Sequence, residues 1–172
     1  CKHFDSKGWE FKVVKTGDEL KIGKRTIAFV ETPMLHWPDS MVSYVKEDKL
    51  LLSNDAFGQH IASVERYDEE LGVEEAIKWA KIYYANILMP FGELVKRKLG
   101  EIEKLGIPIE MIAPSHGIIW KNPVKIIEAY KKWANFEVED KLVIVYDTMW
   151  NSTATIAKAI AEGATFKHVK VR

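Results

Sequence analysis

The feature that most constrains this chain is a switch in the period of its apolar residues. Up to about residue 60 they fall in short, β-branched runs: Phe11 to Val14, Glu19 to Ile22, Thr26 to Glu31, Met41 to Val45 and Leu50 to Ser53. Thr16-Gly17-Asp18, Gly23-Lys24 and the charged Lys46-Glu47-Asp48-Lys49 are turn-prone, so successive strands are predicted. From Val73 the step lengthens to three and four residues. Ile77, Ala80, Tyr84, Ile87 and Leu88 share one face of a helix from about Val73 to Met89, which Pro90 ends or kinks. Phe91, Leu94, Val95, Leu99, Ile102 and Leu105 carry a second stripe, closed by Gly106 and Pro108. A strand over Ile109 to Ala113 follows, then a helix opened by Asn122-Pro123 and carrying Val124, Ile127, Lys131 and Ala134. A sheet that its own later helices can cover is a mixed α/β arrangement.

The pattern changes again after the polar connection Phe136 to Lys141, which predicts two domains, 1–137 and 138–172. Leu142 to Tyr146 is a continuous apolar run, the mark of a strand buried on both faces of a parallel sheet. Asp147 to Ser152 reads as a loop, Thr153 to Glu162 as a helix stopped by Gly163, and Phe166 to Val171 as a strand. That is one β-α-β unit opening a doubly wound domain.

Composition removes several function classes. With 25 basic and 25 acidic residues there is no positive excess for nucleic acid, and 47% hydrophobic content excludes disorder. Cys1 is the single cysteine, which excludes a disulfide framework, a thiolate zinc cluster and an iron–sulfur site. No apolar run approaches the ~20 residues of a membrane span, and CKHFDSKGWE has no signal core, so no membrane and a cytoplasmic location are expected. The chain opens on Cys1 and stops at Val171-Arg172 directly after a predicted strand, which suggests a piece of a longer protein.

Three strand-end loops hold most of the chemistry-bearing residues. His36 lies between Pro33 and Pro38, Asp55 follows the strand Leu50-Leu51-Leu52, and His116 sits in Pro114-Ser115-His116-Gly117. Sheets fix such loops rigidly, and two imidazoles with a carboxylate are ligands for zinc, iron or manganese. A lone histidine after a strand is more often a structural hydrogen-bonding residue, and Asn54-Asp55 also suits a simple turn. The residues alone leave both readings open. His60 reads as a neighbour of such a site or as surface, and His3 and His168 as solvated.

A fourth loop, Asp147-Thr148-Met149-Trp150-Asn151-Ser152-Thr153, brings hydroxyls and amides to a helix N-terminus, whose free N–H groups and dipole favour an anion. It lacks the glycine patterns of nucleotide hydrolases and dinucleotide binders, so a phosphate cradle competes with a plain N-cap at Ser152 or Thr153.

Together these residues resemble a known family. The Thr-Pro-led loop, the Asp and the late Ser-His-Gly loop are similar to the second half of a metallo-β-lactamase-like αββα domain. Thr32-Pro33-Met34-Leu35-His36-Trp37-Pro38-Asp39-Ser40-Met41 and Ser53-Asn54-Asp55-Ala56-Phe57-Gly58 resemble specifically the flavodiiron proteins, or A-type flavoproteins. Val143-Ile144-Val145-Tyr146-Asp147-Thr148-Met149-Trp150-Asn151-Ser152-Thr153 is similar to the first strand and phosphate loop of their flavodoxin-like domain.

The resemblance implies an oxidoreductase that reduces dioxygen to water, nitric oxide to nitrous oxide, or both, at a di-iron centre fed by FMN. It implies His36 and His116 as ligands of one iron each and Asp55 as the bridge, with Thr148, Met149, Trp150, Asn151, Ser152 and Thr153 wrapping the FMN phosphate. It also implies a head-to-tail homodimer or dimer of dimers, and an electron donor such as rubredoxin or a reduced deazaflavin. Trp37 either shapes the pocket or packs. The family's His-x-Glu-x-Asp-His motif, which supplies the remaining ligands, is absent from these 172 residues. The competing expectations are a dizinc hydrolase of the same fold, which leaves the flavodoxin-like tail unexplained, and a non-catalytic fragment.

Overall fold

The computed structural model describes residues 5–167 and 169–171. Cys1, His3 and His168, with the readings attached to them, lie outside the described residues. The chain divides into two compact units, one ending at Asn135 and the other beginning at Phe136.

In the first unit β1 (Glu19–Ile22), β2 (Arg25–Glu31), β3 (Met41–Val45), β4 (Leu50–Asn54) and β5 (Met111–Pro114) form one sheet in chain order. The first four pair antiparallel, while β5 pairs parallel with β4. Short turns can only reverse the chain, and the parallel return needs the long helical excursion between β4 and β5. It follows that β2, β4 and β5 all run the same way. Their C-terminal ends, and so the loops carrying His36, Asp55 and His116, share one edge of the sheet.

Four helices accompany the sheet: α1 (Asp68–Leu71), α2 (Val73–Tyr83), α3 (Gly92–Lys104) and α4 (Val124–Ala134). Ala76, Ala80, Ile112, Trp120, Ile126 and Ala134 are completely buried in one cluster with Val42, Leu51 and Tyr130. The two small residues of α2 fall one turn apart and leave room for the larger side chains around them. The α2 stripe ends where Pro90 demands it, but through a device the period did not show. Tyr84–Leu88 forms a π turn and Met89–Phe91 a 3₁₀ turn. Proline has no N–H for the carbonyl four residues back, and the wider turn accommodates that loss.

Two expectations for this unit need correcting. Phe11 to Val14 is not a strand: residues 11–15 carry no regular structure, and Phe11 and Val13 are exposed. Strands need a pairing neighbour, and β1 pairs with β2 alone. The strand expected from Ile109 begins at Met111, because Glu110 N–H instead bonds the Lys49 carbonyl at 2.9 Å.

The second unit is a β-α-β unit: β6 (Lys141–Leu142) and β7 (Lys170–Val171) pair parallel around α5 (Ser152–Thr165). The strand expected to run buried from Leu142 to Tyr146 pairs only at its first residue. Val143, Val145 and Tyr146 are exposed, Val145 by 89%. Burial of both faces takes flanking strands and helices, and among the described residues only β7 pairs with β6. Gly163 does not stop α5, which runs on to Thr165; it lacks the positive φ that a glycine cap adopts. β7 is correspondingly shorter than the strand expected from Phe166.

Candidate metal centre

The loop between β2 and β3 is held by its own backbone. Thr32 N–H bonds the Ser40 carbonyl at 2.8 Å, Met34 N–H bonds Trp37 at 2.7 Å, and Leu35 N–H bonds Thr32 at 3.1 Å. Met34, Asn54 and Phe57 adopt φ values of 65°, 55° and 65°, a left-handed conformation that costs a non-glycine residue energy. All three lie within two residues of His36 or Asp55.

His36 Nε2 stands 3.6 Å from Asp55 Oδ2, with the two side chains 26% and 27% exposed. The other carboxylate oxygen, Oδ1, accepts the Ser115 hydroxyl at 2.8 Å. Ser115 is placed by its backbone, since its N–H bonds the Asn54 carbonyl at 2.7 Å across the β4–β5 pair. His116 follows directly. Its Nδ1 lies 3.1 Å from the Gln59 carbonyl, which fixes Nδ1 as the protonated nitrogen and leaves Nε2 free as a ligand. Its ring meets Tyr83 edge-on at 4.9 Å and His60 at 5.2 Å.

Of the three predicted ligands, the structure brings His36 and Asp55 into contact and sets His116 beside Ser115 and Tyr83. Among the described residues, no group of three or more His, Cys, Asp and Glu side chains is arranged to hold a metal ion. Trp37 does not pack into the core. It is 61% exposed, with its ring 5.6 Å from that of His36. His60 is exposed, yet its ring is 4.9 Å from Tyr83, so it belongs to the same cluster.

The donor set fits a hard or borderline cation: imidazole nitrogen, carboxylate oxygen and no thiolate. Tyr83 adds a hydrogen-bond donor beside that set. Its hydroxyl is buried without a partner, and burial together with the Asp55 charge pushes its pKa up to about 12. It is therefore a neutral donor awaiting an acceptor.

Three features of the site escape a reading of the sequence. Gln59 is buried; its Nε2 donates to the Phe57 carbonyl at 2.8 Å and its Oε1 accepts Ile118 N–H at 2.6 Å. It thus stitches the Asp55 loop to the His116 loop. Gly58 packs against the His116 ring so closely that any Cβ would stand 2.8 Å from both ring nitrogens. Phe57 is clamped, its N–H donating to the Tyr130 hydroxyl at 2.8 Å and its carbonyl also accepting Trp120 Nε1 at 2.8 Å. Tyr130→Phe leaves that buried N–H unpaired and is expected to cost ~1–3 kcal/mol of unfolding free energy, read from the urea midpoint.

In the second unit, the loop before α5 opens at Asn151, which is left-handed (φ 61°) and caps the helix without a side-chain bond. Thr148 Oγ1 is buried without a partner, while Met149 and Trp150 are exposed. A phosphate would meet both needs, an acceptor for the hydroxyl and one for the first-turn N–H groups.

Residues 1–117 match the family model described as ODP family beta lactamase. The chain is 52% identical over 162 residues to the nitric oxide reductase of Moorella thermoacetica, covering 94% of this chain and 41% of that protein. It is 49% identical over 174 residues to the coenzyme F420H(2) oxidase of Methanothermobacter marburgensis, covering 99% and 43%. The fold matches rubredoxin oxygen:oxidoreductase from Desulfovibrio gigas with a TM-score of 0.89 at 38% identity, over 99% of this chain and 43% of that one. It matches the flavodiiron protein of Giardia intestinalis with a TM-score of 0.84 at 36% identity, over 93% and 39%. The chain thus spans about two fifths of the length of these relatives.

Proposed function

Because the chain belongs to the ODP family of beta-lactamase-like proteins, we propose that it forms part of a flavodiiron oxidoreductase reducing dioxygen to water, nitric oxide to nitrous oxide, or both. The observation that carries this reading is the His36–Asp55 pair on the sheet edge that also presents Ser115 and His116, in a chain continuing into the Thr148–Thr153 loop and α5. Its relatives and structural neighbours are flavodiiron proteins, enzymes named as oxidoreductases.

In this reading His36 and His116 would each hold one iron, and Asp55 would serve both. Iron and flavin together supply the one-electron steps that side chains cannot. The protein's own part is positioning. Ser115 orients the Asp55 carboxylate by bonding Oδ1, and the Gln59 carbonyl sets the His116 tautomer. Tyr83, kept protonated by burial, holds its hydroxyl as a hydrogen-bond donor beside His116. Thr148, Ser152 and Thr153 with the α5 N–H groups cradle the FMN phosphate, and Met149, Trp150 and Asn151 line the same loop. We further propose a cytoplasmic, head-to-tail homodimer or dimer of dimers that accepts electrons from rubredoxin or a reduced deazaflavin. Among the described residues no helix is long and apolar enough to cross a membrane.

Metal and flavin analysis of the full-length protein tests the reading. Iron, an FMN spectrum and consumption of dioxygen or nitric oxide by the reduced protein are expected. Zinc without flavin would overturn it in favour of a hydrolase. The phosphate loop is tested separately by Ser152→Ala with Thr153→Ala in the full-length protein. Loss of hydrogen bonds to a charged group, each ~1.5–3 kcal/mol, should weaken FMN binding by at least about tenfold in a fluorescence titration. Unchanged affinity would remove these two residues from the flavin site.

A further inference from the structure

Beneath the ligand loops lies an apolar cavity of about 50 Å³, walled by Leu35, Val42, Ala56, Phe57 and Leu88, among others. Leu35 and Ala56 are chain neighbours of His36 and Asp55. A second opening, of about 240 Å³, shares Leu51, Phe57, Leu99 and Ile102 with the first. It continues past Ile107 and Ile127 to Glu103 and Lys131, whose ion pair is 2.8 Å long and exposed. The two neighbouring spaces together extend from a charged rim at the surface to the chain neighbours of two predicted ligands.

We propose that the two spaces join into a passage that serves as entry route and holding site for a small apolar gas molecule bound for the metal centre. The inference rests on the proposed function for its destination, but the character of the passage does not. A buried water needs two to four polar partners, and none of the buried polar atoms left without a partner lines the inner cavity. Its polar wall is sparse: the Tyr130 hydroxyl accepts Phe57 N–H, Lys98 Nζ is held by Glu101 at 2.6 Å, and Thr32 is the one further polar residue. The inner space is too small for a flavin or an acyl chain and large enough for a diatomic molecule or a noble-gas atom. Apolar cavities of this kind stay dry and take up such ligands. The open side of the site, where His36 and Trp37 meet solvent, then stays available for electron delivery.

Xenon is the probe. Crystals of the full-length protein under xenon pressure are expected to show an atom between Phe57 and Leu99. Leu99→Phe, in the shared segment, should exclude xenon. It should also raise KM for dioxygen or nitric oxide about tenfold while kcat, iron and FMN content stay unchanged, the pattern of a lost encounter rather than lost chemistry. Leu99→Ala widens the same point and should keep xenon without raising KM, which separates blockage from general damage; Ile102→Phe provides a second plug should Leu99→Phe fold poorly. An empty cavity in the wild type overturns the proposal. So does an unchanged KM in a plugged variant that excludes xenon. A protein without iron or turnover refutes the proposed function instead, and the passage then stands or falls as a gas site on xenon occupancy alone.

Discussion

His116→Ala in the full-length protein is expected to lose one of two irons and to lower dioxygen or nitric oxide reduction by about 100-fold or more, since even changes to outer-shell partners cost ~10–100-fold. FMN absorbance should persist. On the proposed function the two cofactors would depend on different stretches of chain, His116 in the first unit and Thr148–Thr153 in the second. The neighbouring imidazole of His60, 5.2 Å away ring to ring, packs edge-on against Tyr83 instead. Iron analysis with a flavin spectrum decides the matter. Joint loss of both cofactors from a folded variant would contradict two separate sites.

Gly58→Ala should injure the same ligand without touching its chemistry. The added methyl would meet the His116 ring, 2.8 Å from each nitrogen, and force it to shift. Gln59 holds it through Nδ1, and the Tyr83 and His60 rings close its other sides. Gly58 itself has no positive φ, so alanine strains nothing in the backbone and the effect is purely steric. Iron affinity is expected to fall ~10–100-fold, the range found when ligand orientation is disturbed. Competition with a chelator measures it, with the unfolding midpoint as control. Wild-type affinity in this variant would show that the His116 ring is not held where the metal needs it.

The contrast between His116 and Gly58 illustrates how far the sequence could be read. The placement of His36, Asp55 and His116 on loops at one end of the sheet was legible because each follows a strand-like apolar run. The strands from Glu19 to Ser53 and the helical stripes were legible because their periods are local properties. Gly58, Gln59 and Tyr83 were not, since their roles depend on contacts across 33 to 59 residues that no spacing encodes. Helix α1 was missed because four residues are too few to show a period. Phe11 to Val14 and Val143 to Tyr146 mark the opposite failure. Both have strand-like composition, and neither finds a partner among the described residues beyond the two-residue β6–β7 pairing. Pairing is a property of the neighbour as much as of the segment.

The π turn at Tyr84–Leu88 acts as a phase shifter between two helices. Every residue of an α-helix advances about 100° around its axis. Closing the turn to α geometry by deleting one residue would therefore rotate all that follows by about that angle. Tyr83 would still face His116, but Val95 and Leu99 would swing away from Phe57 and the cavity they wall. The extra residue helps set the register in which α2 addresses the ligand loops and α3, beyond the 3₁₀ turn, the apolar interior. A length change here would uncouple the two, whereas the exposed turn at Lys46–Lys49 has no such angular bookkeeping to keep.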